Sequence, residues 1–141
     1  MLKKLVLAAT LVAAFPAVAA SPPEGVWYVQ DRSAKVRIAP CGQKLCGTVV
    51  WISDKIDKAT GLPPVDSKNP DPSLRSRPIV GLQLLRNFSP SADGKWTGGT
   101  IYDPKVGKTY VSKIALTPKG TLKVEGCISV VCQGQIWSSA D

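Results

Sequence analysis

The chain has 141 residues, of which 44% are hydrophobic, and 18 basic residues against 10 acidic ones give it a net charge of +8. This length suits one domain with a single core. Histidine is absent, which removes the usual base of nucleophilic catalysis, so we do not expect that chemistry. The basic residues are dispersed among apolar ones, so we do not expect nucleic-acid binding either.

The first twenty residues have the pattern of a secretory signal peptide. Lys3 and Lys4 precede LVLAATLVAAF, an apolar run too short to cross a bilayer, and small residues allow cleavage after Ala19 or Ala20. We predict a signal peptide over residues 1–20 and one exported domain over residues 21–141, periplasmic or secreted and not membrane-spanning. Without Lys3 and Lys4, 16 basic residues remain against 10 acidic ones, a net charge of +6.

Glycine and proline separate short alternating runs along the rest of the chain, which predicts an all-β domain. Because almost all connections are short, consecutive strands should pair antiparallel and close into an eight-stranded up-and-down barrel with room for roughly one small ligand. Gly47, Gly81, Gly98 and Gly99 would allow the bends at barrel corners. An open sandwich is the alternative. The predicted strands are residues 25–31, 34–39, 44–52, 79–87, 95–102, 108–117, 121–127 and 133–138.

Cysteine spacing predicts two local disulfides. Exported cysteines usually pair, and of the three connectivities we favour Cys41 with Cys46 and Cys127 with Cys132, each pair facing across a hairpin with a four-residue loop. A metal site is not expected, because histidine is absent and the spacing is not C-x-x-C.

The long connection between strands 3 and 4, residues 53–78, has five prolines and concentrates polar residues. We expect hydrogen bonds between aspartates and arginines to order it. Acid–base catalysis by Asp66 and Asp71 is the alternative. Calcium binding is disfavoured, because an EF-hand loop starting at Asp66 lacks its glycine and its final glutamate. The predicted cluster comprises Asp66, Asn69, Asp71, Arg75 and Arg77.

Gly107-Lys108-Thr109 resembles the end of a phosphate-binding loop, but Tyr102 stands where the first glycine should be and no helix pattern follows. A β-hairpin fits better. In the strand after this turn, Lys113 must reach water, so Tyr110 on the opposite face should point inward. Core packing is the simplest role for the tryptophans. The candidates for ligand contact are Trp27, Trp51, Trp96, Tyr102, Tyr110, Ile128 and Val130.

Four blocks in order, IAPCGQKLCGTVVWI, DSKNPDPSLRSRPIVGLQLL, WTGGTIYDPKVGKTY and GCISVVCQGQIW, resemble the bacterial exported family DUF2147, whose members resemble lipocalins in fold. The resemblance implies a calycin-like barrel with an internal cavity and a secreted or periplasmic setting, and implies no reaction. Gly25-Val26-Trp27 is similar to the G-x-W of a first lipocalin strand. No arginine follows Lys123, so the late arginine that packs on that tryptophan in lipocalins is absent or replaced here.

We therefore predict a noncatalytic barrel that binds a small, partly apolar ligand and needs no cofactor. An envelope protein-interaction module or inhibitor acting through its loops is the alternative, and an enzyme using the 53–78 segment comes third. Strand parity puts residues 32–33, 53–78, 103–107 and 127–132 at one end. We place the ligand entrance there, with Ile128 and Val130 at its rim. The sequence identifies neither the ligand nor the oligomeric state.

Overall fold

The computed structural model describes residues 3, 5–13 and 21–141, so the predicted cleavage site lies outside the described residues. Eight antiparallel strands form a closed up-and-down barrel in chain order, as predicted. The strands are β1 (Gly25–Tyr28), β2 (Ala34–Cys41), β3 (Lys44–Ile52), β4 (Gln83–Ala92), β5 (Lys95–Asp103), β6 (Lys108–Leu116), β7 (Leu122–Ile128) and β8 (Val131–Ser139).

Among the described residues, the helical structure is one 3-10 turn at Pro72–Leu74. The described part of the chain contains no helix long and apolar enough to cross a bilayer. Residues 53–82, here called the strap, connect β3 to β4. The strap and the β1–β2, β5–β6 and β7–β8 turns share one end of the barrel, here called the strap end. This is the sorting that strand parity predicts.

The predicted bounds of strand 4 are wrong. It begins at Gln83 rather than 79 and continues to Ala92, so most of the predicted connection over residues 88–94 is strand. Ser89 and Pro90, which suggest a loop in the sequence, pair with Thr97 and Trp96 of β5. The β3–β4 pairing stops at Phe88, and a proline is tolerated where a strand has become an edge.

The middle of the barrel is filled by packed apolar side chains, where the sequence predicted space for a ligand. Val36, Leu85 and Phe88 are fully buried in one cluster with Trp27 and Trp137. A ligand can therefore enter only where this packing ends.

The strand glycines serve two purposes rather than the single one predicted. A Cβ at Gly99 would lie 2.6 Å from the Phe88 ring, and one at Gly47 would lie 2.8 Å from Leu85. Phe88 and Leu85 therefore occupy the space that a side chain at these two positions would need. Gly98, at a φ of 75°, lies in a β-bulge and does supply a bend. Gly81 lies in the strap, outside the strands.

Residues at the start of the domain support Trp27 at the end opposite the strap. The Trp27 indole N–H donates a 2.8 Å hydrogen bond to the carbonyl of Pro23, which is itself buried. A backbone carbonyl thus satisfies the polar edge of this buried tryptophan.

The barrel closes over a short seam. β1 pairs with β8 only at Trp27 with Ser139 and Tyr28 with Ser138. The β7–β8 ladder continues from there to Ile128 and Val131, so this hairpin extends past the β1–β2 turn at the strap end.

Candidate functional site

A buried carboxylate connects the strap to the barrel wall. Asp66 is fully buried and accepts hydrogen bonds from the Tyr102 hydroxyl at 2.5 Å, from Asn69 Nδ2 at 2.8 Å and from Arg77 Nε at 2.9 Å. The Arg77 Nη2 atom also lies 2.9 Å from the carboxylate. We call Asp66, Asn69, Arg77 and Tyr102 the Asp66 cluster.

The surroundings of Asp66 favour its ionised form. Burial alone would raise its pKa, but the hydrogen bonds from Tyr102, Asn69 and Arg77 together bring the pKa below the ordinary 3.8. For Tyr102, burial and the hydrogen bond to Asp66 raise the pKa to about 12. Each of these partners donates a hydrogen bond to the Asp66 carboxylate. The cluster therefore stabilises the ionised form of Asp66 and the neutral form of Tyr102.

The predicted polar cluster is only partly brought together. Asp66, Asn69 and Arg77 meet, whereas Asp71 is exposed and hydrogen-bonds Ser73 at the start of the 3-10 turn. Arg75 donates to the backbone carbonyl of Asn69 at 2.7 Å. Of the two predicted aspartates, therefore, only Asp66 forms a salt bridge with an arginine within residues 21–141.

Tyr102 is the member that sequence reasoning assigned elsewhere, as a ligand contact. It lies at the strap end of β5, one residue after Ile101, so it faces away from the barrel interior and toward the strap. The strap also lies against the β5–β6 turn, where a Cβ on Gly107 would collide with the carbonyl of Lys68. The sequence carries no signal that pairs Tyr102 with the strap, because the contact joins residues 36 positions apart.

The interior-facing side of β6, β7 and β8 changes from buried to exposed toward the strap end. On β6 the order is Ile114 and Ser112, both buried, then Tyr110, half buried. On β7, Val124 is 2% exposed and Ile128 is 69% exposed. On β8, buried Trp137 is followed by exposed Gln135 and Gln133 and by Val131 at 69%.

The interior-facing residues at this end of the three strands, here called the mouth, are Tyr110, Gly126, Ile128, Val131, Gln133 and Gln135. A Cβ on Gly126 would contact Ile101 and Tyr110, so these residues of the neighbouring strands β7, β5 and β6 share the interior-facing side. The prediction that the Tyr110 face points inward is confirmed, because Lys113 is exposed and Val111 is 65% exposed on the opposite face. Val130 lies at the tip and is 92% exposed.

The three tryptophans proposed for ligand contact all lie away from the mouth. Trp51 is opposite Lys35 in the β2–β3 ladder and packs edge-on against Tyr28, on the outer surface of the barrel. Trp96 lines a cleft of about 320 Å³ at the end opposite the strap, together with Phe88 and Pro23. Trp27 is part of the packed core.

Both disulfides have the predicted local connectivity, Cys41 with Cys46 and Cys127 with Cys132. The predicted four-residue loops are wrong, because the ladders continue inside each cysteine pair and leave two-residue turns. Cys127 faces Cys132 directly, whereas Cys41 faces Lys44 and reaches Cys46 diagonally.

A carboxylate lies near one of these bridges. Glu125 forms a group with the sulfurs of Cys127 and Cys132, all within 4.8 Å of one another. With both sulfurs bonded to each other, neither is a thiolate ligand for a metal.

The sequence matches, over residues 25–139, the family described as "Uncharacterized protein conserved in bacteria (DUF2147)". The chain belongs to this family. A search of solved structures finds similarity to protein HP1028 from the human pathogen Helicobacter pylori, described as belonging to the lipocalin family, with a TM-score of 0.72 and 20% identity over 84% of this chain and 82% of that one. No curated protein matches the sequence. This DUF2147 barrel thus has a lipocalin-like fold in a bacterial family.

Proposed function

We propose that this DUF2147 protein is a noncatalytic exported barrel that binds a small, partly apolar ligand in the mouth at the strap end. The observation that carries the proposal is the loss of burial along β6, β7 and β8. Ile128 and Val131 belong to the interior-facing side of the β7–β8 hairpin, yet each is 69% exposed. Covering apolar groups in this position with a ligand is favourable, because it removes them from water.

The polar groups of the mouth suit a ligand that is only partly apolar. The Tyr110 hydroxyl and the side chains of Gln133 and Gln135 share the interior-facing side with the aliphatic residues. Small-molecule sites usually combine an apolar lining with a few such hydrogen-bonding groups. Because the middle of the barrel is filled, the ligand is small or only partly enclosed.

Export is supported by two features. The first twenty residues have the signal-peptide pattern, and the disulfides are typical of an oxidising compartment. We propose a periplasmic or secreted location, which N-terminal sequencing of the protein purified from its own host tests. A mature chain that begins at Ala20 or Ser21 is expected, and an uncleaved Met1 contradicts the proposal.

Titration with N-phenyl-1-naphthylamine, a neutral probe that fluoresces in apolar sites, tests the mouth. The variant Ile128→Ser with Val131→Ser removes aliphatic surface on the interior-facing side. Covering two partly exposed aliphatic side chains is worth about 1.5 kcal/mol, so the double variant should bind the probe roughly tenfold more weakly.

Val111→Ser is the matched control, because Val111 is exposed to a similar degree on the opposite face of the neighbouring β6. Its affinity should stay within about twofold of the unmodified protein. Equal weakening by both variants, or none by either, rejects the mouth as the binding site.

The second candidate is a protein-interaction module, favoured by the filled interior and by the edge of β8. Residues 131–136, VCQGQI, carry no charge. One edge of this segment faces away from β7. Within residues 21–141, that edge has one hydrogen-bond partner before the pairing with β1 begins, the Gln30 side chain, which accepts from the Ile136 N–H. Unprotected edges accept additional strands. A photo-crosslinking residue at position 134 should capture one envelope protein that the same residue at position 111 does not.

A further inference from the structure

A second concave surface lies outside the barrel, between the end of β3 and the strap. This outer cleft has a volume of about 310 Å³, at the lower end of the range for small-molecule sites. Its lining is mostly apolar, with one charged residue. The main contributors are Trp51, Lys55, Pro63, Pro64, Pro78 and Val80.

The strap wall of the outer cleft is rigid. Pro78 pairs with Val65 in a short antiparallel bridge, and next to it the Ile79 N–H donates to the Pro64 carbonyl at 3.1 Å. Next to this bridge, the Asp66 N–H donates to the Arg77 carbonyl at 2.9 Å, and their side chains form the salt bridge of the Asp66 cluster. Fixed prolines and a closed bridge reduce the conformational entropy that binding would cost.

The barrel wall of the outer cleft presents an aromatic ring in a fixed position. Trp51 meets Tyr28 edge-on, with ring centroids 6.2 Å apart, and the Lys35 amine lies 5.2 Å from the Trp51 ring centroid. The Arg32 guanidinium lies 4.0 Å above Tyr28. This side of the barrel therefore combines a braced indole with positive charge.

Lys55 supplies the charge inside the outer cleft. It is exposed and, among the described residues, forms no salt bridge. The nearby carboxylate of Asp57 accepts a hydrogen bond from the Ala59 N–H in its own turn. An anionic group entering the cleft would thus meet an ammonium that has not already been neutralised.

We infer that the outer cleft is a binding site for a small aromatic carboxylate, whose ring lies against Trp51 and the prolines while its carboxylate meets Lys55. Proline and indole surfaces suit a flat apolar ring, and a single lysine at the edge suits one negative charge. The mouth differs in both respects, since it has no tryptophan and offers glutamines in place of a cation. The inference therefore does not depend on the function proposed for the mouth.

The direct test is an amide and indole NMR titration of the disulfide-bonded protein with 2-naphthoate. Saturable shifts are expected at Trp51, Ile52, Lys55 and Val80. The neutral analogue 2-naphthalenemethanol should bind at the same place about fivefold more weakly, because it lacks the ion pair at this exposed site. Shifts centred on Tyr110 and Gly126 instead, or no saturable shift at all, overturn the inference.

Lys55→Gln separates the role of charge from that of shape. It should weaken 2-naphthoate about fivefold and leave 2-naphthalenemethanol unchanged, whereas the control Lys58→Gln, at an exposed lysine outside the cleft lining, should change neither. Equal affinity of Lys55→Gln and the unmodified protein for 2-naphthoate contradicts the assigned role of Lys55.

Arg77→Ala tests the strap as a wall. Loss of the salt bridge to Asp66 should loosen the strap and weaken 2-naphthoate, while N-phenyl-1-naphthylamine at the mouth binds as before. If 2-naphthoate affinity is unchanged in a variant whose strap amides have lost protection from hydrogen exchange, the strap is not part of the site.

Discussion

Replacing Asp66 with alanine is expected to release the strap while the barrel stays folded. The substitution removes the acceptor of the Tyr102 hydroxyl, the Asn69 amide and the Arg77 guanidinium. Breaking a buried ion pair by deleting one partner costs roughly 3–5 kcal/mol. Since the Arg77 side chain is 30% exposed and can turn to water, we expect the lower value, about 3 kcal/mol.

This cost should appear locally, because the Asp66 cluster connects the strap to the edge of the barrel rather than to its core. Hydrogen exchange measures it at the amides of Asp66, Asn69 and Ile79, which donate to backbone carbonyls within the strap. A loss of about 3 kcal/mol corresponds to roughly a hundredfold loss of protection at these amides. Amides of β6 and β7 should keep their protection.

Two further variants make the measurement specific. In Asp66→Asn, the amide oxygen can still accept from Asn69 and Arg77, and the Tyr102 hydroxyl can turn to accept, so about 1–2 kcal/mol should be lost. Asp71→Asn should cost less than about 1 kcal/mol, because the Asp71 side chain is exposed and, within residues 21–141, accepts hydrogen bonds from Ser73 alone. Equal loss of protection in the strap and in β6 would refute the reasoning, since the strap would then belong to the cooperative core.

Three other outcomes are expected. Gly99→Ala should lower the free energy of unfolding, measured in urea, by about 1–3 kcal/mol, because its Cβ would lie 2.6 Å from the buried Phe88 ring. The control Gly134→Ala should cost less, because its Cβ meets mainly the flexible end of Lys123. Equal costs contradict the packing argument. The folded pKa of Asp66 lies below 3.8, so its contribution to strap stability is complete above pH 4 and is lost as the pH falls through the lowered pKa. The pKa of Tyr102 is raised to about 12, so its contribution is present below pH 10 and is lost as the pH rises toward 12. Strap proteolysis should therefore be flat between about pH 5 and pH 9 and increase outside that range, and a change near pH 7 argues against this assignment. Non-reducing peptide mapping should recover Cys41 with Cys46 and Cys127 with Cys132, and a crossed pair such as Cys41 with Cys132 is incompatible with the strand order.

Local patterns in the sequence were enough to predict the strand order and the direction of most side chains. Short Gly- and Pro-containing turns force neighbouring strands to pair antiparallel, and eight such strands close into a barrel. Lys113 cannot be buried alone, so alternation along β6 correctly places Ser112 and Ile114 in the interior. The cysteine spacing similarly predicts both disulfides, because each pair lies within one hairpin.

Side-chain direction became unpredictable wherever a bulge interrupts this alternation. Val49 faces the core, and simple alternation would send Trp51 inward as well. The ladder instead shifts between its pairs with Lys35 and Val36, which leaves Val50 as an extra residue and turns Trp51 to the outer surface. One inserted residue therefore moves a large aromatic side chain from the predicted ligand site to the outer cleft.

Contacts between distant parts of the chain were decided by the tertiary structure alone. Asp66 and Tyr102 are 36 positions apart, and neither the strap nor β5 carries a periodic signal that pairs them. The filling of the interior likewise depends on Phe88 crossing to Gly99 and Leu85 to Gly47. Local patterns encode the strand period and the turns, whereas the volume left inside a barrel depends on which side chains from different strands meet across it.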